Sequence, residues 1–272
     1  MTIKVVLVGC GNMGFAMLAG WLRAGRLTAS DVFVVEPSET LRARAERLGV
    51  KAAADSAELP AGSRPDLIVL AVKPQVIREV SAGYAALVKA GATVLTVAAG
   101  TPMATYEAVL GDDAAIIRCM PNTPASIGKG MMVVLAKPNV DPTVLRFAKE
   151  LLSTSGMVAE IEDETLMDAV TAVSGSGPAY VFHFIEALSA AAEKAGLPAD
   201  LARKLAMQTV HGAASLAAES EDEPAELRRQ VTSPNGTTAA ALAVLMGDDR
   251  LVKLLDEAVE AARARSVELG KQ

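Results

Sequence analysis

Two short stretches have the composition of a binding site. Gly9-Cys10-Gly11-Asn12-Met13-Gly14 follows an apolar, strand-like run and opens an apolar, helical one. In that context G-x-G-x-x-G is a dinucleotide fingerprint. Gly9 permits a tight turn and Gly11 lets the backbone approach a pyrophosphate. Gly14 lets the helix pack close to the strand, and the amides at Asn12 and Met13 face the phosphates. The alternative is a tight strand-to-helix turn that binds nothing. The second stretch is Val231-Thr232-Ser233-Pro234-Asn235-Gly236-Thr237-Thr238, late in the chain. Hydroxyls and unpaired amides at a helix start suit a small anion such as a carboxylate. Its alternative is a plain helix cap, with Thr232 or Ser233 capping and Pro234 at the first helical position.

Other candidates cluster around the glycine turn. The second strand-like run ends at Val35-Glu36-Pro37-Ser38. An acidic residue about 20 positions after the glycines normally accepts the ribose hydroxyls of NAD. Glu36 alone therefore favours NADH, whereas Ser38, Arg42 and Arg44 could hold the extra phosphate of NADPH, and the choice stays open. Ser56 could reach the adenosine side or be a turn serine. Three more loops leave strand carboxyl ends, where open α/β sheets bind ligands. They are Ala71-Val72-Lys73-Pro74, Ala98-Ala99-Gly100-Thr101 and Cys119-Met120-Pro121-Asn122-Thr123-Pro124. The small residues Ala98, Ala99 and Gly100 suit close approach of a nicotinamide ribose. Lys73 is either a general acid, a phosphate contact or a solvated lysine. Asn122 could orient a carboxamide or simply shape a turn. Later, Ser174-Gly175-Ser176-Gly177-Pro178 interrupts an apolar helical pattern, either as a helix break or as a place where backbone comes close to ligand.

These residues must be positioned by two kinds of region. Strand-like runs at 3–8, 32–35, 67–72, 93–98, 115–119, 131–135 and 157–161 alternate with helical patterns at 14–24, 39–48, 74–88, 103–110 and 142–152. Such alternation implies a parallel sheet covered on both faces, with room for an antiparallel strand from Met131 onward. From Glu162 the strand signal stops. Helices are expected at 164–172, 180–195, 199–219, 224–231, 237–246 and 251–269. The helix at 180–195 is apolar nearly all round, so part of its burial is expected from a second subunit.

Composition narrows the function. The 272 residues are 51% hydrophobic but only 3% aromatic, so the core is aliphatic. A net charge of −6 with no basic, aromatic-studded patch argues against nucleic acid. Cys10 and Cys119 form no disulfide framework, which fits a reducing cytoplasm. His183 and His211 lack partners at metal-ligand spacing, so no metal is expected. The opening Met1-Thr2 leads straight into a strand with no leader pattern, and the longest apolar run, 179–192, is too short and polar to span a bilayer.

Taken in order and spacing, the motifs at 9–14, 71–74, 98–100, 118–124, 174–180 and 231–238 resemble pyrroline-5-carboxylate reductase over essentially the full length. The last two are the specific ones. The family's late motif usually reads Ser-Pro-Gly-Gly-Thr or Ala-Thr; here Asn235 replaces one glycine, and Asn tolerates positive φ. The resemblance implies an α/β fold: an N-terminal Rossmann-like doubly wound domain, 1–161, then an all-α C-terminal substrate and dimerisation domain, 162–272. It implies a homodimer that often assembles further, and NADPH- or NADH-dependent reduction of the cyclic imine 1-pyrroline-5-carboxylate to L-proline. By the same resemblance Thr238 sits by the ring nitrogen. Ser233, Gly236 and Thr237 take the carboxylate, Glu164, Glu221 and Ser176 lie near the substrate, and Gln230 reaches the cofactor. Glu221 could equally be a cap or a solvated residue.

A β-hydroxyacid dehydrogenase of similar architecture carries a lysine soon after its glycine-rich break. Here none occurs between Ala179 and Glu193, which argues against alcohol oxidation. An imine reductase for another ring size remains open. A non-catalytic dinucleotide-binding regulator is disfavoured, because Thr238 and the glycine turns are intact.

Overall fold

The computed structural model describes residues 3–271, so the Met1-Thr2 opening lies outside the described residues. Its contacts form two units, one of residues up to 176 together with those from 262 onward, the other of 177–261.

The first unit holds a sheet ordered β3-β2-β1-β4-β5-β6-β7-β8. Its strands are β1 (Val5–Val8), β2 (Val32–Val35), β3 (Lys51–Ala53), β4 (Leu67–Leu70), β5 (Thr93–Thr96), β6 (Ile116–Met120), β7 (Gly130–Ala136) and β8 (Gly156–Glu160). Helices α1 (Asn12–Arg23), α2 (Glu39–Glu46), α3 (Ile77–Ala82), α4 (Ala85–Lys89), α5 (Met103–Leu110) and α6 (Pro142–Ser153) connect them. Val5 pairs with Val32 on one side and with Leu67 on the other, so the strand order reverses at β1. That reversal opens a crevice at the carboxyl ends of β1 and β4, the usual place for a ligand. The strands from β3 to β6 run parallel. β7 is antiparallel to β6, because the few residues after Met120 cannot make a crossover. β8 then returns parallel to β7 after α6.

Alternation along the strands builds two cores. Val5, Leu7, Val34, Val69, Leu95 and Ile117 face Met17, Leu18 and Trp21 of α1 and Leu151 and Leu152 of α6. Val6, Val8, Ile68, Val94 and Ile116 face Ile77, Tyr84, Val88, Met103 and Tyr106 on the other side. Each fully buried aliphatic side chain contributes about 1.5–3 kcal/mol, so the sheet is a rigid platform for the loops at its edge.

Three expectations change. β3 is too short and alanine-rich to carry a strand pattern. The single helix expected at 74–88 is a 3-10 turn at Pro74–Val76, then α3 and α4, broken at Gly83 and Tyr84. The helix expected at 164–172 is a 3-10 turn at Glu164–Leu166, one α turn, α7 (Met167–Val170), and a π-helical turn at Thr171–Gly175. The chain stays right-handed through Ser176, so the glycines there do not break the backbone path. Gly175 instead packs against the Met120 methyl, the flexible end of a side chain that would have to shift for a larger residue.

The second unit is helical: α8 (Gly177–Lys194), α9 (Ala199–Glu219), α10 (Pro224–Gln230), α11 (Thr237–Met246) and the first half of α12 (Arg250–Gly270). α8 and α9 pack along each other, yet no residue of α8 is buried, with Phe182 59% and Phe184 49% exposed. Leu205, Met207, Val244 and Leu254 are exposed as well. So much apolar surface marks a face that another chain covers. Among the described residues no helix is long and apolar enough to cross a membrane.

Candidate active site

The glycine turn is built as its spacing requires. Gly9 has φ +87°, and a Cβ there would lie 2.7 Å from Ala71 O and 2.8 Å from Val72 Cγ1. Gly14 packs so close to the Gly9 carbonyl that no side chain fits between them. Gly11 differs, because a Cβ on it would meet nothing within 4 Å. It caps α1 with no side-chain hydrogen bond, and the first intrahelical bond runs from Phe15 N to Gly11 O at 2.9 Å. The first turn thus has no side-chain cap and open space beside Gly11, and at the positive end of a helix dipole that fits a pyrophosphate.

Glu36 closes the other side of this turn. It is only 6% exposed. Its Oε2 accepts the Cys10 amide at 2.7 Å and its Oε1 the Ser38 amide at 3.0 Å. Arg42 Nη1 donates to the carbonyls of Glu36 at 2.9 Å and Pro37 at 3.0 Å. The Arg44 guanidinium stacks 3.5 Å from the centre of the Phe15 ring. Burial, then the neighbouring Glu36 charge, pushes the Cys10 thiol up to about 11. Ser56 lies against Gly83 and lines a small hollow of about 240 Å³ with Tyr84 and Gly62.

Further along the carboxyl edge, Ala71 N bonds Val8 O at 2.8 Å and keeps the Ala71–Pro74 loop beside β1. Lys73 is exposed. Pro74, Ala99 and Gly100 line one cavity of about 440 Å³ with Thr101, Leu269 and Gly270 from the end of α12. Gly100 has φ +66°, and a side chain on it would press against Leu269. Asn122 is held at both ends of its amide. Its Oδ1 accepts Met131 N at 2.9 Å, and its Nδ2 donates to Ser174 O at 3.2 Å. Glu164 is joined through Oε1 to the Arg118 guanidinium and to Met103 N, the latter at 2.8 Å.

The second unit carries the hydroxyl-rich turn. Asn235 adopts φ +58°, the left-handed conformation that Asn accommodates. Gly236 N bonds Ser233 O at 3.1 Å, and Gly236 caps α11 without any side-chain cap. The plain-cap alternative fails here. Thr232 Oγ1 donates back to Arg228 O at 2.6 Å, and Pro234 precedes the helix rather than opening it. The first amides of α11, at Thr237 and Thr238, thus lack a partner from a cap. Ser233 and Thr237 are exposed and Thr238 is half-buried. Gln230 Nε2 donates to Asp222 Oδ2 at 2.8 Å, beside the exposed Glu221.

One residue had no assigned role in the sequence. Arg118 is a buried cation in the middle of the otherwise apolar β6. That placement was itself a signal, since charged residues are rarely fully buried unless paired. Among the described residues no cluster of groups suited to a metal occurs.

An open doubly wound sheet, a glycine turn feeding an uncapped helix and a helical second region define a dinucleotide-binding oxidoreductase of the α/β class. Comparison with known proteins narrows this. Residues 4–100 match the family model described as NADP oxidoreductase, coenzyme F420-dependent, and 164–269 match the one described as pyrroline-5-carboxylate reductase dimerisation. The chain is 41% identical to a pyrroline-5-carboxylate reductase of Pseudomonas aeruginosa, covering 100% of this chain and 98% of the other. It is 42% identical to that of Synechocystis, with full coverage of both. A pyrroline-5-carboxylate reductase structure from Coxiella burnetii superimposes with a TM-score of 0.93 at 34% identity, covering 100% of each chain. A Plasmodium falciparum pyrroline carboxylate reductase, solved with NADP bound, gives 0.83 at 30% identity and 98% coverage of each. The chain belongs to the pyrroline-5-carboxylate reductase family. The exposed apolar helices α8, α9 and α11 lie in the region that the dimerisation model matches.

Proposed function

We propose that this chain reduces the C=N bond of 1-pyrroline-5-carboxylate with NADPH or NADH, giving L-proline in the last step of proline biosynthesis. The observation that carries the reading is full-length membership in the family, with the hydroxyl turn at 231–238 intact and uncapped.

When bound, the dinucleotide supplies a hydride from nicotinamide C4. The chain's residues do the rest. Amides at Asn12, Met13 and Gly14 hold the pyrophosphate, with Gly9 and Gly11 giving it room. Glu36, Pro37, Ser38 and Ser56 serve the adenosine half. Ala71, Val72, Lys73, Pro74, Ala98, Ala99 and Gly100 receive the nicotinamide half, with Asn122 and Gln230 in support. Ser233, Gly236 and Thr237 bind the carboxylate through hydroxyls and the α11 amides. Thr238 sits by the ring nitrogen, where its hydroxyl oxygen accepts the iminium N–H, and Glu164, Glu221 and Ser176 line the substrate. A substrate arriving as the protonated iminium accepts hydride at carbon and leaves as the secondary amine, so no strong general acid is needed. Positioning then supplies most of the acceleration.

On this reading 1–161 is the dinucleotide domain and 162–272 the substrate and dimerisation domain. The assembly is a homodimer or a larger set of dimers, working in the cytoplasm without nucleic-acid or membrane partners. Absorbance assays with NADH and NADPH, on the five-membered imine and its six-membered homologue, test this. Fast turnover of the five-membered ring is expected. Folded, dinucleotide-binding protein with no turnover would overturn the assignment, and preference for the larger ring would reassign the substrate.

A further inference from the structure

Arg118 sits in β6, where every residue from Ile116 to Met120 is buried. A guanidinium at 7% exposure requires a partner, and Glu164 Oε1 provides it. That oxygen also accepts Met103 N, the first amide of α5, at 2.8 Å. The other end of the same loop is held by a neutral pair. Thr96 Oγ1 accepts Ala98 N at 3.3 Å and is itself hydrogen-bonded to the buried Tyr106 hydroxyl at 2.5 Å. The loop from β5 to α5 is thus fastened at Ala98 from one side and at Met103 from the other. Between them lie Ala99 and Gly100, with Gly100 at φ +66°.

We propose that Arg118 is a positioning residue: through Glu164 it fixes the 98–103 loop that receives the nicotinamide half of the dinucleotide. The inference rests on the reading that this sheet edge holds the dinucleotide. Glu164 is 38% exposed, so without the guanidinium its carboxylate is free to turn to water. The guanidinium, rigid and rooted in the sheet, holds the carboxylate on the Met103 amide. Stability alone does not call for such a pair, because a buried ion pair is often replaced by apolar residues without loss.

The test combines Arg118→Met, Arg118→Lys, Glu164→Gln and the double variant Arg118→Met/Glu164→Gln. The double variant carries neither charge, so no unpaired charge is left buried while the guanidinium's hold on residue 164 is lost. Melting temperature, dinucleotide Kd measured without imine, and the kcat-against-KM split on the imine are read for each. The double variant is expected to melt near the wild type while its dinucleotide Kd rises and kcat falls, each by roughly tenfold, a single charge-assisted hydrogen bond's worth. Arg118→Lys is expected to recover part of both, and the KM for imine to move less than kcat. The proposal is overturned if variants of native melting temperature bind dinucleotide within twofold of the wild type, or if every loss tracks the fall in melting temperature. Should the wild type bind dinucleotide but not reduce the imine, the proposed reaction fails while the Kd comparison still decides the role of Arg118.

Discussion

Gly11→Ala separates the task of the glycine turn from its architecture. The residue has φ −62° and ψ −162°, which alanine adopts freely, and the new methyl meets nothing within 4 Å. Alanine is a poorer N-cap than glycine by up to about 1 kcal/mol, and the smaller entropy of the unfolded chain returns about 0.4–1 kcal/mol. The net change is near zero, so the melting temperature should move by less than about 2 °C. Dinucleotide binding should suffer, because the methyl occupies the space over the first-turn amides. Losing one or two amide–phosphate bonds at about 1.5–3 kcal/mol each raises Kd by roughly tenfold to more than a thousandfold. Gly9→Ala is the opposite case. Its φ of +87° and contacts of 2.7 and 2.8 Å to the Ala71–Val72 backbone and side chain make the substitution strained. Overpacking plus left-handed strain costs about 2–5 kcal/mol, or roughly 5–15 °C. Scanning fluorimetry of the apo protein and titration of NADPH fluorescence give both quantities for both variants. Wild-type affinity in Gly11→Ala would refute a pyrophosphate lying over Gly11. A fall in melting temperature as large as that of Gly9→Ala would refute the open space.

Three other outcomes follow from the same geometry. Thr238→Ala should lower kcat/KM on the imine by ~10–100-fold with dinucleotide Kd unchanged, and unaltered steady-state kinetics would remove Thr238 from the mechanism. Glu36→Ala should raise the NADPH-to-NADH ratio of kcat/KM and also lower the melting temperature, because the Cys10 and Ser38 amides lose their acceptors; a fixed ratio with lowered stability would make Glu36 a structural latch only. The Cys10 thiol, raised to about 11 when folded, keeps its proton longer than in the unfolded chain. Its stabilisation is complete below about pH 8.5 and is lost, at about 1.4 kcal/mol per pH unit, as pH rises toward the folded value. Urea midpoints between pH 8 and 10.5 should therefore fall less steeply for Cys10→Ala than for the wild type, and parallel slopes would count against the shift.

The sheet and most helices are legible in the sequence because apolar runs and helical periodicity are local. α5, α9 and α11 fall on the positions expected, and every strand with a clear apolar run is present. What was not legible depends on partners far along the chain. The bond from Cys10 N to Glu36 spans 26 positions, Arg118 to Glu164 spans 46 and Asn122 to Ser174 spans 52. Glu36 reads as a ribose ligand from spacing, yet its oxygens already hold two amides of its own chain. Asn122 reads as a carboxamide partner, yet its amide ties the loop after β6 to β7 and to the π-helical turn. The helix split at Gly83 escaped because Tyr84, apolar and buried, preserves the hydrophobic pattern across the break.

The helix starts differ in how their first amides are met, and α2, α9 and α10 also begin without a side-chain cap bond. α6 carries its own anion: Asp141 accepts the Thr143 amide at 2.7 Å, and that bond, with the one from Val144, holds its carboxyl below the usual range. α5 borrows one from a distance, the Glu164 carboxylate on Met103 N. α1 and α11 have neither. Each is capped by a glycine, Gly11 and Gly236, with no side-chain acceptor for the first-turn amides. A helix N-terminus carries about half a positive charge and unpaired donors, so it favours whatever anion reaches it. Where the sequence places an aspartate or steers a glutamate, that demand is met by the protein itself. Where it places glycine, no side chain meets that demand, and on the proposed reading the pyrophosphate of the dinucleotide would meet it at α1 and the carboxylate of the imine at α11.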